Sequence, residues 1–321
     1  MKKGFYVGLV VVLVAAFILN LRKIEQPKKP EAAITKNSAT ILNQYVLEFY
    51  AMLPNDVYFC GEQLILDENK KQKLAKVIAD EVEHYNPEAI KKLADENLWF
   101  TYIDKEPKSA DFPDDLRYVP LAESTFQVDA DSSKVVGPWQ FTKDTAERFQ
   151  LRVEPQNNYD ERYDFIKSTD AARKYLKELH DKFKDWSVAL AEYNTGEKNL
   201  QTATDKDNTK DFYQLVSIEE ETKKFPFRVL AAKMIFTNPK IYNPVLKNIW
   251  TGSSKFNGYY ITPIELEVKV QSPITRIVEE LKKDYPSLND EGFIRYNRHI
   301  RGALPPGNYT VYIVQNQNGT S

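Results

Sequence analysis

The stretch PLAESTF, residues 120–126, places one carboxyl group, that of Glu123, in a run of apolar and small residues typical of a protein core. Removing a carboxylate from water is costly unless the group is paired or keeps its proton. Two interpretations follow. Glu123 is either a paired structural group, such as a helix-cap partner, or a carboxyl group whose unusual acidity is used in chemistry.

The composition of the 321-residue chain is that of a folded globular protein, long enough for one sizeable core and a smaller module. Its apolar share of 42% and aromatic share of 12% exceed what a disordered chain would carry. The formal net charge of −2 gives no electrostatic basis for binding nucleic acid. We therefore expect a neutral or mixed polar polymer as partner.

Residues that bind metals are few in the sequence. Cys60 is the only cysteine, so neither an internal disulfide nor a thiolate metal cluster can form. The three histidines, His84, His180 and His299, lie far apart and form no ligand-spaced pair. The sequence predicts no metal site and implies no cofactor.

Residues 1–23 carry a membrane signal. The run from Gly4 to Leu21 is uncharged, has basic residues on both sides, and can just span a bilayer as a helix. No small-residue cleavage site ends it, which favours an uncleaved anchor over a signal peptide. The flanking charges leave its orientation open. Residues 24–40 are polar, contain prolines, and are predicted to be a linker.

Helical patterns dominate the next two regions, a helical lead-in at residues 41–110 and a central domain at residues 111–257 that contains Glu123. Between residues 114 and 240 no alternating strand pattern is present, which predicts a mainly α fold. The predicted helix boundaries are N-caps at Asp67, Asn86 (followed by Pro87), Thr142 and Ser168 or Thr169, and stops at Gly196 and before Pro239, the last helix beginning near Phe225.

The pattern changes in residues 258–321. Residues 262–270 and 308–314 alternate apolar and polar side chains and are predicted to be strands. The amphipathic stretch between them predicts two helices. The sequence thus predicts a small C-terminal β-α-α-β module.

Four motifs in the central region occur in a recognisable order. They are YVPLAESTFQVDADSSKVVGPWQF (118–141), NNYDERYDFIKSTDAARKYLKEL (157–179), DWSVALAEYNTG (185–196) and DFYQLVSIEEET (211–222). Together they resemble the family 1 lytic transglycosylases of goose-lysozyme-like (Slt) fold, most closely the membrane-bound type D group. The resemblance implies a lysozyme-like helical domain that acts on peptidoglycan glycan strands.

The resemblance also implies roles for individual residues. Glu123 takes the position of the catalytic acid/base, and Tyr193 that of the tyrosine that orients it. The residues at substrate-side positions are Ser124, Ser132, Gln140, Asn194 and Glu221. The chain departs from the family where small residues are usual, with Lys134, Val135 and Val136, and at Pro138, which we expect in the first turn of a helix that contains Trp139.

The family reaction explains why one carboxyl group is enough. The substrate's own 6-hydroxyl is the nucleophile, so one group can act first as acid and then as base. Apolar neighbours, for which Leu121, Phe126 and Trp139 are candidates, would keep its proton available.

Simpler structural explanations remain for three of these residues. Trp139 and Tyr193 can serve core packing, and Glu221 can belong to a solvated face beside Glu219 and Glu220.

Two other functions and the position in the cell also depend on the resemblance. A lysozyme-type hydrolase and a non-catalytic wall-binding or scaffold protein stay open as alternatives. The C-terminal module weakly resembles a LysM-type glycan-binding unit, although a plain packing domain is equally compatible. Because the polymer lies outside the cytoplasm, the resemblance implies a chain anchored by its N-terminal segment on the periplasmic side.

Overall fold

The computed structural model describes residues 31–85, 88, 102–103, 112–125, 127, 129–132, 134–195, 198–209, 212–243 and 259–316. Its helices are α1 (Glu31–Met52), α2 (Glu68–His84), α3 (Val119–Ser124), α4 (Lys143–Arg148), α5 (Phe165–Phe183), α6 (Trp186–Thr195), α7 (Lys198–Asp207), α8 (Glu220–Thr237), α9 (Pro239–Tyr242), α10 (Ile274–Leu281) and α11 (Asp290–Tyr296). Short 3-10 helices cover Asp114–Tyr118, Pro155–Asn157, Glu161–Tyr163 and Phe212–Gln214. Its strands are β1 (Asp56–Phe59), β2 (Glu62–Ile65), β3 (Val135–Val136), β4 (Phe141–Thr142), β5 (Val153–Glu154), β6 (Tyr159–Asp160), β7 (Tyr259–Val268) and β8 (Gly307–Asn316). The prediction of a mainly α chain with a C-terminal β-α-α-β module is confirmed.

The predicted membrane anchor at residues 1–23 lies outside the described residues. Among the helices that the structure describes, none is long and apolar enough to cross a bilayer. Helix α1 begins at Glu31, directly after Pro30 and inside the predicted linker. Alanine favours a helix, so Ala32 and Ala33 suit this conformation, and the predicted linker is helical from Glu31 onward.

Two predicted helix caps are confirmed and one is wrong. Asp67 accepts a hydrogen bond from Lys70 N at 2.8 Å, and Thr142 caps α4. Helix α5 begins at Phe165 rather than after Ser168 or Thr169, because Asp164 Oδ1 accepts from Lys167 N at 3.0 Å. The earlier carboxylate satisfies one of the free N–H groups of the first turn, and both hydroxyl residues lie buried inside the helix. The predicted starts at Asn86–Pro87 and the stop at Gly196 lie outside the described residues.

Helix α8 begins earlier than the sequence predicts. It starts at Glu220 rather than near Phe225 and carries Pro226 in its interior. Proline usually marks the first turn, because its nitrogen cannot donate to the carbonyl four residues before it. Here the helix continues through that missing bond, since α8 is buried along much of its length. The predicted end before Pro239 is confirmed.

Three short hairpins escape the sequence patterns. Strands β1–β2, β3–β4 and β5–β6 pair antiparallel, and the last two hairpins have strands of only two residues. Two residues are too few for an alternating pattern, so residues 114–240 gave no strand signal. Two of these hairpins lie next to the predicted site.

The chain divides into two compact units, each of which we describe by itself. The first contains the described residues up to Tyr118 except 102–103, together with 179–243. In it, α8 packs against α2, α6 and the 3-10 helix Asp114–Tyr118. The buried Glu81 carboxylate of α2 accepts from Arg228 Nε of α8 at 2.7 Å.

The second unit contains residues 102–103, 119–178 and 259–316. Strands β7 and β8 pair along ten residues, from Tyr259 opposite Asn316 to Val268 opposite Gly307. Tyr159 of β6 belongs to the same buried cluster as the apolar residues of α10, α11 and β8. The module therefore shares one core with residues of the predicted catalytic domain. The predicted domain boundaries at 110/111 and 257/258 stay a prediction.

Candidate active site

Glu123 lies at the last turn of α3, where buried chain meets the surface. Pro120, Leu121 and Ala122 are buried, whereas Glu123 and Ser124 are half-buried. The apolar half of the helix fixes the backbone in the core, and the carboxyl group follows at its partly accessible end. Of the predicted apolar neighbours, Leu121 and Trp139 are buried, and Phe126 lies outside the described residues.

Residues 125–136, which we call the motif loop, begin where α3 ends. Thr125 has a positive φ of 53°, which turns the chain out of the helix. A chain of backbone hydrogen bonds follows, from Gln127 N to Ser124 O at 3.1 Å, from Ala130 N to Gln127 O at 3.1 Å, and from Gly137 N to Ala130 O at 2.7 Å. The loop therefore returns to the β3–β4 hairpin through bonds that start at the residue after Glu123.

The side chain of Ser124 adds a second connection between α3 and the β3–β4 turn. Its Oγ lies 3.1 Å from Pro120 O and 3.0 Å from Pro138 O, so the hydroxyl proton is shared between the helix and the hairpin turn. Ser124 therefore ties the residue next to Glu123 to the β3–β4 turn. Direct contact of Ser124 with substrate stays a prediction.

The turn of the β3–β4 hairpin requires glycine at position 137. Gly137 has a φ of 80°, and a Cβ placed there would lie 1.9 Å from Arg162 O. Arg162 is itself buried, pairs with Asp160 at 2.7 Å, and donates to Phe141 O at 3.3 Å. The turn thus lies directly on backbone that a buried ion pair holds in place.

The predicted helix start at Pro138 is wrong. Pro138 and Trp139 lie in the turn between β3 and β4 rather than in a helix. The Trp139 ring is fully buried, and its Nε1 donates to Thr169 Oγ1 at 2.9 Å. The core-packing interpretation of Trp139 therefore holds. The bulky residues upstream have distinct environments: Lys134 is exposed, Val135 half-buried and Val136 buried.

Two predicted substrate contacts, Gln140 of the β3–β4 turn and Ser132 of the motif loop, bond to nearby backbone carbonyls. Gln140 Nε2 donates to Gly137 O at 2.7 Å and lies 3.5 Å from Ala130 O. The exposed Ser132 donates from Oγ to Val135 O at 3.3 Å. Both side chains hold the loop's shape in this structure, and their contact with substrate stays a prediction.

Tyr163 is a support of the loop that the motifs did not single out. Its hydroxyl donates to Asp131 Oδ2 at 3.0 Å. Burial and this hydrogen bond to Asp131 raise the pKa of Tyr163 to about 12, so the phenol keeps its proton at neutral pH. The only sequence signal for it was its place in the second motif, NNYDERYDF.

The first unit carries the remaining predicted residues. Tyr193 and Asn194 lie half-buried on α6, and Asn194 lines a pocket of about 510 Å³ together with Glu221. The other lining residues are Thr195, Leu200, Thr202, Ala203, Lys206, Ser217, Ile218, Glu219 and Thr222. The structure thus brings Asn194 and Glu221 to one pocket.

Glu221 combines pocket lining with a solvated position. Its side chain is 62% exposed, and its carboxylate lies 3.7 Å from Arg228 Nη1 and 4.0 Å from Lys224 Nζ. A pair this exposed contributes little to stability. The solvated-face interpretation agrees with this exposure, and a role in substrate binding stays a prediction.

Asp207, at the end of α7, holds the segment that enters the pocket wall. It accepts from Val216 N at 2.6 Å and from Ser217 N at 2.7 Å, and also from the Ser217 hydroxyl. The hydrogen bonds from Ser217 hold the pKa of Asp207 below its usual range, and the bond from the hydroxyl has the largest effect. Sequence reasoning missed this residue, because an aspartate at a helix end resembles an ordinary solvated charge.

The predicted site residues are divided between the two units. The second unit contains Glu123, Ser124, Ser132 and Gln140, and the first contains Tyr193, Asn194 and Glu221. The predicted pairing of Tyr193 with Glu123 joins residues of different units and stays a prediction. Among the described side chains, no three His, Cys, Asp or Glu residues gather as metal ligands would.

Comparison with known proteins agrees with the motifs. Residues 100–216 match the family model of the transglycosylase SLT domain. The chain is 29% identical over 171 residues to the membrane-bound lytic murein transglycosylase D of Escherichia coli (strain K12), which covers 51% of this chain and 37% of that protein. The same protein of the E. coli O6:H1 strain CFT073 matches equally.

A third relative is named "Putative tributyltin chloride resistance protein", from Alteromonas sp. (strain M-1). It is 38% identical over 104 residues, which are 32% of this chain and 49% of that protein. The chain therefore spans less than half the length of each of these curated relatives. The predicted resemblance to family 1 lytic transglycosylases is confirmed for the region that matches.

Proposed function

We propose that this chain, whose residues 100–216 match the transglycosylase SLT domain, is a peptidoglycan lytic transglycosylase with Glu123 as its acid/base. The observation that carries the proposal is the placement of Glu123. It lies inside the matched region, at the partly accessible end of a helix whose preceding residues are buried. Such a position fixes a carboxyl group precisely enough for proton transfer while leaving it open to a polymer.

The proposed reaction uses this carboxyl group twice. The protonated Glu123 gives its proton to the oxygen that links C1 of N-acetylmuramic acid to C4 of N-acetylglucosamine, and the C1–oxygen bond breaks. The muramyl 6-hydroxyl attacks C1 and returns its proton to the carboxylate. No water is consumed, and the products are a 1,6-anhydromuramyl end and a free 4-hydroxyl.

The other predicted residues take supporting roles. Tyr193 is proposed to orient Glu123, and Asn194 and Glu221 to hold the polymer from the pocket they line. Ser132 is proposed to contact sugar from the motif loop and Gln140 from the β3–β4 turn, and Ser124 is proposed to hold the loop against that turn. The reaction as written uses only groups of the chain and of the substrate, and no cofactor.

The location is part of the proposal. Two of the relatives are named as membrane-bound, and peptidoglycan is an extracytoplasmic polymer. We therefore place the chain in the cell envelope, held by its N-terminal segment with the catalytic domain on the periplasmic side. Membrane fractionation of cells that express the full chain, or a version without residues 1–23, tests the role of that segment.

Product analysis tests the activity. Native chain incubated with purified peptidoglycan should release muropeptides with 1,6-anhydro ends, as measured by mass spectrometry. Glu123→Gln should abolish release, whereas Glu147→Gln, a change in an exposed pair with Lys143 on α4, should not. Reducing ends would show a hydrolase instead. Binding without cleavage by the native chain would show a scaffold, and an active Glu123→Gln would refute the assigned acid/base.

A further inference from the structure

Two arginines of the C-terminal module hold a carboxylate of the motif loop. Asp129 Oδ1 lies 3.1 Å from Arg301 Nη1, and Asp129 Oδ2 lies 3.2 Å from Arg298 Nη1. Each carboxylate oxygen therefore has its own guanidinium partner. The arginines come from the segment between α11 and β8, about 170 residues further along the chain.

The segment that carries these arginines is itself fixed to the β5–β6 region. Arg301 N donates to Asn158 O at 2.7 Å, and Asp160 N donates to His299 O at 2.9 Å. The Asn158 side chain donates to Ala303 O at 2.9 Å. These bonds on both sides of position 301 give the arginines a rigid base.

Arg301 also contacts the loop's second support. Its guanidinium carbon lies 4.4 Å from the centroid of the Tyr163 ring, whose hydroxyl binds Asp131. A planar guanidinium stacks well on an aromatic ring, and the contact limits its own rotamers. One module residue therefore reaches the loop twice, directly at Asp129 and through Tyr163 at Asp131.

Asp129 is well placed to transmit this hold to Glu123. It precedes Ala130, whose N donates to Gln127 O and whose carbonyl accepts from Gly137 N. Gln127 N in turn donates to Ser124 O, at the residue after Glu123. Movement of Asp129 would strain or open these bonds.

We propose that Arg298 and Arg301 are positioning residues, which hold the motif loop through Asp129 in the conformation that Glu123 needs. The catalytic part of this proposal rests on the proposed function. The C-terminal module is then a working part of the active site, in addition to any contact it makes with the wall.

Energetics separate this role from plain stabilisation. The side chains of Asp129, Arg298 and Arg301 are 49%, 28% and 43% exposed. Pairs exposed to this extent contribute little to folding. A catalytic group, in contrast, loses up to about 100-fold in rate when it is misplaced by about 1 Å. Loss of the arginines should therefore lower kcat much more than it lowers thermal stability.

The experiment compares Arg298→Gln, Arg301→Gln and the double variant with Arg276→Gln, a control on the exposed face of α10. On soluble, uncross-linked glycan strands, we expect kcat to fall about 10-fold for Arg301→Gln and further for the double variant, with KM changed less than about twofold. Arg301→Lys, which keeps a cation for Asp129, should recover most of kcat.

Two further readouts complete the test. Asp129→Asn combined with Arg298→Gln should lower kcat no more than Asp129→Asn alone, because the change at Asp129 already removes the ion pair with Arg298. Hydrogen–deuterium exchange should accelerate at the amides of Gln127, Ala130 and Gly137 in the arginine variants but not in Arg276→Gln.

Three results would overturn the proposal. Unchanged kcat and unchanged exchange would show that the arginines do not hold the loop. A rise in KM with unchanged kcat would show that they bind the polymer instead. Should the native chain lack activity, the proposed function fails, and unchanged exchange in the variants would then separately refute the loop contact.

Discussion

Gly137→Ala is expected to damage this protein more than any ordinary glycine substitution. The glycine has a φ of 80°, and an added methyl carbon would lie 1.9 Å from Arg162 O, an atom of the backbone. Arg162 cannot easily yield, because its buried guanidinium is bound to Asp160. The turn itself must therefore move, and with it Pro138 O, which the Ser124 hydroxyl contacts.

The magnitude follows from two separate costs. A left-handed conformation costs an alanine about 1–2 kcal/mol, and overpacking against a rigid neighbour adds about 1–3 kcal/mol. Gly61→Ala is the matched control, since Gly61 has a φ of 84° but an added Cβ would meet nothing within 4 Å. It should lose only the first amount, so Gly137→Ala should unfold with about 2–5 kcal/mol less free energy and Gly61→Ala with about 1–2.

Urea denaturation followed by circular dichroism measures both variants against the native chain. The activity of Gly137→Ala on peptidoglycan should also fall under conditions where it is folded, whereas Gly61→Ala should keep the native rate. Equal losses of stability in the two variants would refute the clash with Arg162. Native activity in folded Gly137→Ala would refute the link from the turn to Glu123.

Three further substitutions test the supports of the two units. Hydrogen bonds from Arg152 hold the pKa of Glu154 below its ordinary 4.5. This carboxylate therefore stabilises the fold fully above pH 4.5 and less as the pH falls. On acidification, the Tm of Glu154→Gln should fall less than the Tm of the native chain. Trp139→Phe leaves a buried threonine hydroxyl without its indole donor and should cost about 1–3 kcal/mol in urea denaturation. Arg228→Met leaves the buried Glu81 carboxylate without this cation and should cost about 3–5 kcal/mol, part of which Arg228→Met/Glu81→Leu recovers.

Each of these expectations has a clear contrary result. If Tm fell equally with pH below 4.5 in the native chain and in Glu154→Gln, this carboxylate would make no contribution to the loss of stability in acid. Unchanged stability of Trp139→Phe would show that water replaces the indole donor. A double variant no more stable than Arg228→Met would show that the lost arginine contacts, rather than the stranded charge, set the cost.

Local signals explain what the sequence predicted of the fold. Asp67 and Thr142 cap helices because the hydroxyl or carboxylate and the N–H it binds lie three residues apart. The cap of α5 was misplaced because Asp164, Ser168 and Thr169 are all competent caps, and only the three-dimensional structure selects the first. Pro226 misled for a similar reason, since its tolerance inside α8 depends on tertiary packing.

The same difference between local signals and tertiary contacts applies to the residues of the site. Family motifs predicted Glu123 and the residues around it, because these lie close together in the sequence. No pattern pointed to Arg298 or Arg301, since arginines in a short connecting segment resemble solvated charges. Arg301 is 172 residues away from Asp129 in the sequence, so the contact between them exists only in the folded chain.

A reaction that depends on one carboxyl group makes the shape of the adjoining loop decisive. Burial does little to hold the middle of the motif loop at Asp129, Asp131 and Ser132, which are exposed. The loop begins at Thr125 and is followed by Gly137, both with positive φ angles, and such a conformation costs a non-glycine residue free energy. The loop's conformation must therefore be held from outside, by the turn on Arg162, by Tyr163 and by the module. This is why we expect changes at the exposed arginines of the module to lower activity before they lower stability.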